Sequence, residues 1–172
     1  MGVTRTDNYF EDFQVGDNYI HGRGRTVTEM DNVMFTHLAM NTAEPHFNED
    51  MMANLPSLNK FGSTRVVVGT FSISLIMGLA AEDCCENALA ELGLDKMRLP
   101  SPVFHGDTIY AESEVIGKEE NGDNPHAGIV HFRVIGRNQN DERVFEGERK
   151  VLIKKREYYL NEDQKFGPEA SF

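Results

Sequence analysis

Thr70-Phe-Ser-Ile-Ser-Leu-Ile-Met-Gly-Leu-Ala-Ala-Glu-Asp83 opens the longest helical stretch of the chain. Phe71, Ile73, Leu75, Ile76, Met77, Leu79, Ala80 and Ala81 place apolar groups on nearly every side of the helix. A helix that is apolar all round is a buried one. Glu82, Asp83 and Glu86 restore polarity, so the second half emerges into solvent and is read to end at Leu92, before Gly93. Ser72, Ser74 and Gly78 are small and allow other elements to approach closely. The whole apolar run, Val66 to Ala81, is interrupted too often to reach the ~20 predominantly apolar residues of a spanning helix.

Beyond Gly93 the pattern changes to strands, read over Lys96–Leu99, Thr108–Gly117, Ala127–Asn138 and Arg143–Lys155. Val130, Phe132 and Val134 alternate with His131 and Arg133, and Phe145, Val151 and Ile153 keep the same two-residue period through Gly147 and Arg149. Glu119–Pro125 and Asn138–Asp141 are turn-rich, which makes the neighbouring strands antiparallel. A buried helix followed by long antiparallel strands is satisfied when the sheet curls around the helix. This is an α+β, hot-dog architecture. It is expected as a single domain over residues 1–172, with a core at about 9–155 and a polar tail at 156–172, ordered only in part. Its open sheet edges favour a homodimer or higher homo-oligomer.

Upstream, Tyr9–Val15 reads as an extended entry segment with a turn at Gly16-Asp17, and Tyr19–Val27 as a strand weakened by Gly22 and Gly24. Thr28-Glu-Met-Asp31 has the spacing of an N-terminal capping box, with Asp in place of Glu. The helix it starts runs to about Met40, with Met30, Val33, Met34, His37 and Leu38 on or near one face. Asn48–Leu55 reads as a short helix stopped by Pro56, and Leu58–Arg65 as a loop.

The 172 residues carry a net charge of −11, with 40% hydrophobic and 26% charged residues. That hydrophobic share is enough for a packed core. The charge argues against nucleic acid and against an anionic membrane surface, because both require clustered Lys and Arg. An anionic small ligand needs only a local basic pocket. Met1–Asp12 is polar and has no apolar targeting core, so the chain reads as cytoplasmic. Adjacent Cys84 and Cys85 have no metal-ligand spacing and read as reduced helix residues.

Chemistry concentrates in Asn41-Thr-Ala-Glu-Pro-His46. The stretch sets an amide, a carboxylate and an imidazole within six residues, just past a helix end and stiffened by Pro45. The ordinary reading of a lone histidine is structural. The sharper reading makes His46 an acid–base group, for which an imidazole is suited near neutral pH. His37 reads as a core or interface residue and His105 as a loop residue. His21, His126 and His131 have no carboxylate or cysteine partners nearby in sequence, so no metal site is expected. Ser101 and Ser113 sit in no nucleophile motif.

Four segments then occur in a recognisable order: Tyr9-Phe-Glu-Asp-Phe-Gln-Val-Gly16, Thr26-Val-Thr-Glu-Met-Asp31, Asn41–His46 and Pro102-Val-Phe-His-Gly-Asp-Thr108. Together, over about residues 9–155, they resemble the MaoC-like dehydratases, the (R)-specific enoyl-CoA hydratases. Asn41-Thr42, His46-Phe-Asn48 and Lys96-Met-Arg-Leu-Pro100 are similar to the subgroup of the mesaconyl-CoA hydratases, or β-methylmalyl-CoA dehydratases. The resemblance implies reversible hydration of an enoyl-CoA thioester, with the CoA thioester as substrate and no other cofactor. In the family an Asp and a His five residues later hold the water. His46 matches the His, and Asn41 stands in place of the Asp. Asn cannot take a proton at neutral pH, so Asn41 would orient water while His46 acts as base. Glu44, where the family has Pro, is a substitute carboxylate.

The family stabilises the thioester oxygen with backbone N–H groups at the start of the long helix. Gly69 holds that place here, with Val68 replacing a family His. Arg65 and Arg98 are the candidate partners for CoA phosphates or for a second substrate carboxylate. Two other classes compete: a hot-dog acyl-CoA thioesterase, for which Glu82 and Asp83 lie too far along the helix, and a non-catalytic acyl-CoA-binding subunit, favoured by the missing Asp.

Overall fold

The computed structural model describes residue 5, residues 7–54 and residues 62–163, with side chains as far as residue 159. In chain order the elements are β1 (Asn18–Ile20), β2 (Arg25–Thr26), α1 (Glu29–Leu38), α2 (Glu44–Phe47), α3 (Glu49–Asn54), α4 (Gly69–Cys84), β3 (Ala88–Arg98), β4 (Thr108–Glu120), β5 (Ala127–Arg137), β6 (Arg143–Lys154) and α5 (Arg156–Asp163). Every strand pairing is antiparallel, in the order β1-β4-β5-β6-β3, with β2 also on β4. Helix α4 packs against β4, β5 and β6, which is the hot-dog arrangement.

The strand alternation sets this core. Val130, Phe132 and Val134 of β5 are fully buried, as are Phe145, Val151 and Ile153 of β6. On the opposite face Arg133 and Arg137 of β5 reach Glu114 and Glu112 of β4, at 2.8 and 3.0 Å. Each such pair adds a few tenths of a kcal/mol to roughly 1 kcal/mol and fixes the register. Arg149 sits on the inner face among apolar neighbours and is bonded to Glu91 of β3 through two nitrogens. Gly136 lets the helix come close, since a Cβ there would lie 2.2 Å from Cδ1 of Ile76. No helix among the described residues is long and apolar enough to cross a membrane.

Several expectations are corrected. The long helix ends at Cys84, not Leu92, and Gly93 lies inside β3. Ala88–Leu92 are good helix formers, but Asn87 redirects the chain. Its Nδ2 donates to the Asn8 carbonyl (3.0 Å) and its own carbonyl accepts from Lys154 N–H (2.9 Å). Pairing with β6 then overrides helix propensity. The resulting strand is irregular, with three register shifts against β6, one of them between Glu91 and Gly93. Nor is α4 buried all round. Ser72, Ile76, Ala80, Asp83 and Cys84 are buried, while Thr70, Ser74 and Gly78 face outward, because the sheet of one chain covers one side.

The capping box forms as expected: Asp31 N–H donates to Thr28 Oγ1 (3.3 Å) and Thr28 N–H to Asp31 Oδ2 (2.8 Å). The helix it starts ends at Leu38, and the next turn places Met40 at φ 52. Its inward face is Asn32 and Thr36, whereas Met30, Met34 and Leu38 are 62%, 55% and 78% exposed. His37 is exposed as well and meets Phe47 edge-on. The expected strand Tyr19–Val27 is split into β1 and β2 around Gly22 and Gly24. Phe10–Asp12 forms a single 3-10 turn instead of extended chain. Residues 156–163 are helical, because Arg156 docks on that turn. Its N–H donates to Glu11 (3.1 Å), and its guanidinium bonds Asp12 and lies over the Tyr9 ring. Residues 164–172, Leu55, Pro56 and residues 58–61 of the loop read at 58–65 lie outside the described residues.

Candidate active site

Helix α2 is one short turn whose first residues are Glu44 and Pro45. Proline suits that position, because the N–H it lacks would have no acceptor there. Two contacts tie the turn to the segment entering α4. Val66 N–H donates to the Pro45 carbonyl (2.9 Å), and His46 Nδ1 lies 2.8 Å from the Val66 carbonyl. A carbonyl oxygen only accepts, so Nδ1 carries a proton, and in the neutral ring Nε2 is left with a lone pair. The imidazole is thereby held in the tautomer of a general base. It borders a cleft of ≈ 460 Å³ with Val66, Val67, Gly69, Ser72 and the strip Leu99–Val103.

The cleft is lined as well by the start of α4. Val68 is the N-cap, in a non-helical conformation, and its carbonyl accepts from Phe71 and Ser72 N–H at 3.0 and 3.3 Å. Among the described residues, the N–H groups of Gly69 and Thr70 donate to no protein acceptor. Unsatisfied N–H groups and the helix dipole together make this end favour developing negative charge. Gly69 has a steric reason as well: a Cβ there would lie 2.5 Å from Leu99 Cδ1.

Of the residues singled out by sequence, His46 and Gly69 line this cleft together. Asn41 lies before α2, half-exposed and outside the lining. Its Oδ1 accepts from Ala43 N–H at 3.1 Å, which leaves Nδ2 as the free donor among the described contacts. Glu44 is exposed and also outside the lining. Arg65 is committed to two carboxylates, Glu29 and Glu49, the latter at 2.8 Å. The Glu49 hydrogen bond raises the Arg65 pKa, and its Arg65 partner lowers that of Glu49. The Arg98 side chain has no hydrogen-bond or ion-pair partner among the described residues. It lies next to Leu99 at the end of β3, beside Lys96, Arg133, Glu146 and Glu148. That makes Arg98 the freer cation of the two.

Sequence reasoning missed Asn32, which is fully buried beneath the site. Its Nδ2 donates to the His46 carbonyl at 2.9 Å, and its Oδ1 accepts from Val68 N–H at 3.1 Å. The only signal was a pair of polar residues, Asn32 and Thr36, four apart on a helix whose apolar residues point elsewhere.

A second polar cluster lies at the far end of α4. His21 Nδ1 is 2.6 Å from Asp83 Oδ2, and its Nε2 is 2.9 Å from Ser113 Oγ. His21 thus finds in space a carboxylate that is distant in sequence, and His131 likewise meets Glu119 at 2.9 Å. The order Ser–His–Asp matches that of a nucleophile triad. But the three residues are 3%, 3% and 9% exposed, so the cluster is closed to substrate and serves as an internal clamp. Burial pushes the Cys84 thiol above its ordinary range and that of Cys85 up to about 11, so neither is a thiolate at neutral pH. Among the described residues no group of three metal-ligating side chains comes together.

Comparison with known proteins matches residues 3–155 to the family model described as mesaconyl-CoA hydratase. The chain is 32% identical over 155 residues to beta-methylmalyl-CoA dehydratase from Chloroflexus aurantiacus, covering 90% of this chain and 42% of that protein. It is 32% identical over 154 residues to mesaconyl-CoA hydratase from Cereibacter sphaeroides, covering 90% and 43%. The chain thus spans about two fifths of the length of these curated relatives. Among solved structures, a monoamine oxidase regulatory protein from Archaeoglobus fulgius superposes with a TM-score of 0.74 at 28% identity, over 88% of this chain and 97% of that one.

Proposed function

We propose, since this chain belongs to the mesaconyl-CoA hydratase family, that it hydrates an enoyl-CoA thioester, with a short, branched, dicarboxylic acyl group such as that of mesaconyl-CoA as substrate. The observation that carries the reading is the His46 tautomer: Nδ1 is spent on the Val66 carbonyl, and Nε2 is free at a cleft shared with Gly69.

In the forward direction His46 Nε2 takes a proton from water as the oxygen attacks the β-carbon. Negative charge then moves onto the thioester oxygen, where the N–H groups of Gly69 and Thr70 receive it. The imidazolium returns a proton to the α-carbon, and the dehydration runs through the same groups in reverse. Asn41 has its Oδ1 occupied, so its Nδ2 orients water or substrate by donation. Arg98 pairs with the second carboxylate, which would be costly to bury without a partner. A second copy completes the site. The exposed apolar residues Leu92, Leu94 and Met97 on the free edge strand β3 support this dimer.

The thioesterase reading requires a carboxylate from α4. Asp83 is instead buried against His21, and Glu82 pairs with Arg23 at 3.3 Å. The substrate assignment is checked by kcat/KM for mesaconyl-CoA against crotonyl-CoA, which lacks the second carboxylate. Mesaconyl-CoA is the expected preference. A clear preference for crotonyl-CoA overturns the dicarboxylic assignment, and hydrolysis of saturated acyl-CoA would replace hydration altogether.

Asn41 separates turnover from mere binding. Asn41→Ala is expected to lower kcat by about 10-fold or more through lost orientation, and Asn41→Asp to retain or raise it, because the family's usual carboxylate is restored and its free oxygen holds the water by accepting from it instead of donating. A chain that binds acyl-CoA without turnover, and gains activity only as Asn41→Asp, is the non-catalytic subunit. Unchanged hydration by Asn41→Ala removes Asn41 from the mechanism. Glu44→Gln, run alongside, moves the carboxylate role to Glu44 if it causes the larger loss.

A further inference from the structure

We infer that Asn32 is a positioning residue for this site. It holds His46 and the first turn of α4 in fixed relation, so that the base and the oxyanion donors address one substrate. The inference rests on the proposed roles of His46 and of the Gly69 end of α4.

The site is built from two segments distant in sequence, residues 44–47 and residues 66–69, that meet without a regular sheet between them. One side of the junction is fixed by its own backbone, through Val66 N–H to the Pro45 carbonyl and His46 Nδ1 to the Val66 carbonyl. The other side presents an acceptor, the His46 carbonyl, and a donor, Val68 N–H. The Asn32 amide joins them, donating to the first and accepting from the second. Asparagine is suited to this because a short, planar side chain carries both a donor and an acceptor. Asn32 is itself fixed, since it lies one residue beyond the capping box of α1, where Arg25 also holds Asp31 at 2.6 Å. Its complete burial excludes competing water. The two residues it grips are the proposed base and the N-cap directly before Gly69, so a slip of the amide changes the angle between both halves of the chemistry. Displacements of about 1 Å at such a junction cost up to ~10²-fold in rate.

Asn32→Asp is the informative variant, because it is nearly isosteric. It keeps the acceptor for Val68 N–H and sets an oxygen against the His46 carbonyl. Measured per folded molecule, kcat for the preferred enoyl-CoA is expected to fall by roughly 10–100-fold, with KM changed less than about two-fold. The limb of the pH–rate profile that reports the base is expected to move, together with the His46 ring signals in an NMR titration, while those of His126 stay in place. Asn32→Ala removes both bonds and should show the same kcat-selective loss.

If wild-type protein turns over no enoyl-CoA, the proposed function fails on its own, and Asn32 is judged by the His46 ring signals alone. Folded variants with unchanged kcat and unchanged His46 signals overturn the inference. So do two variants that both fail to fold, which would make the amide a folding element.

Discussion

Replacing His46 with alanine is expected to lower kcat for enoyl-CoA hydration by about 100-fold or more, the usual worth of a general base. The fold should survive. His46 lies on a four-residue helix at the edge of a cleft, and the bond lost, from Nδ1 to the Val66 carbonyl, contributes on the order of 1 kcal/mol. The parallel contact from Val66 N–H to the Pro45 carbonyl remains and keeps the two segments together. Steady-state kinetics alongside a thermal melt make the check. A His46→Ala protein with near-normal turnover removes His46 from the mechanism, and with it the argument built on its tautomer. A large fall in melting temperature instead would make the histidine structural.

The second large effect is expected in stability and not in rate. Asp83→Ala leaves His21 Nδ1 without its partner in the interior and loosens the clamp that ties the end of β1, the end of α4 and β4 together. Breaking such a buried pair costs about 3 kcal/mol, which in a domain of this size lowers Tm by roughly 6–12 °C. Asp83 lies more than three turns along α4 from Gly69, so kcat/KM below the transition is expected to stay within about two-fold of wild type, as distant sites behave nearly independently. Calorimetry and kinetics on the same preparation decide it. An unchanged Tm would show that the pair contributes nothing net. A selective loss of activity with an unchanged Tm would bring the cluster into the chemistry.

Part of this molecule was written in local pattern. The alternation of Val130, Phe132 and Val134 is a period-two signal that any sheet must honour, and the strands form where it predicts. The Thr28–Asp31 spacing fixes the start of α1, because a capping box is made within four residues. The place of His46 just after a helix end and a proline was equally local. The face of α1 was not. Met30, Met34 and Leu38 carry its hydrophobicity, yet Asn32 and Thr36 face inward: Asn32 supplies hydrogen bonds to two backbone atoms of other segments, and Thr36 satisfies its own hydroxyl on the Val33 carbonyl.

Sequence by itself determined the class of the fold, the antiparallel strands that follow the helix, the wrapped helix and the neighbourhood of the chemistry, since periodicity, capping and turn residues act over a few residues; the order of the strands in the sheet was left to the structure. Tertiary structure decided where that helix stops, because Asn87 is captured by Asn8 and by β6, 79 and 67 positions away. It decided that His21 finds Asp83 across 62 residues, that Arg65 is already occupied while the Arg98 side chain has no partner among the described residues, and that Asn32 bridges His46 and Val68. These are pairings between groups whose separation along the chain carries no information about their separation in space. They are set only when burial forces each polar group to find a partner.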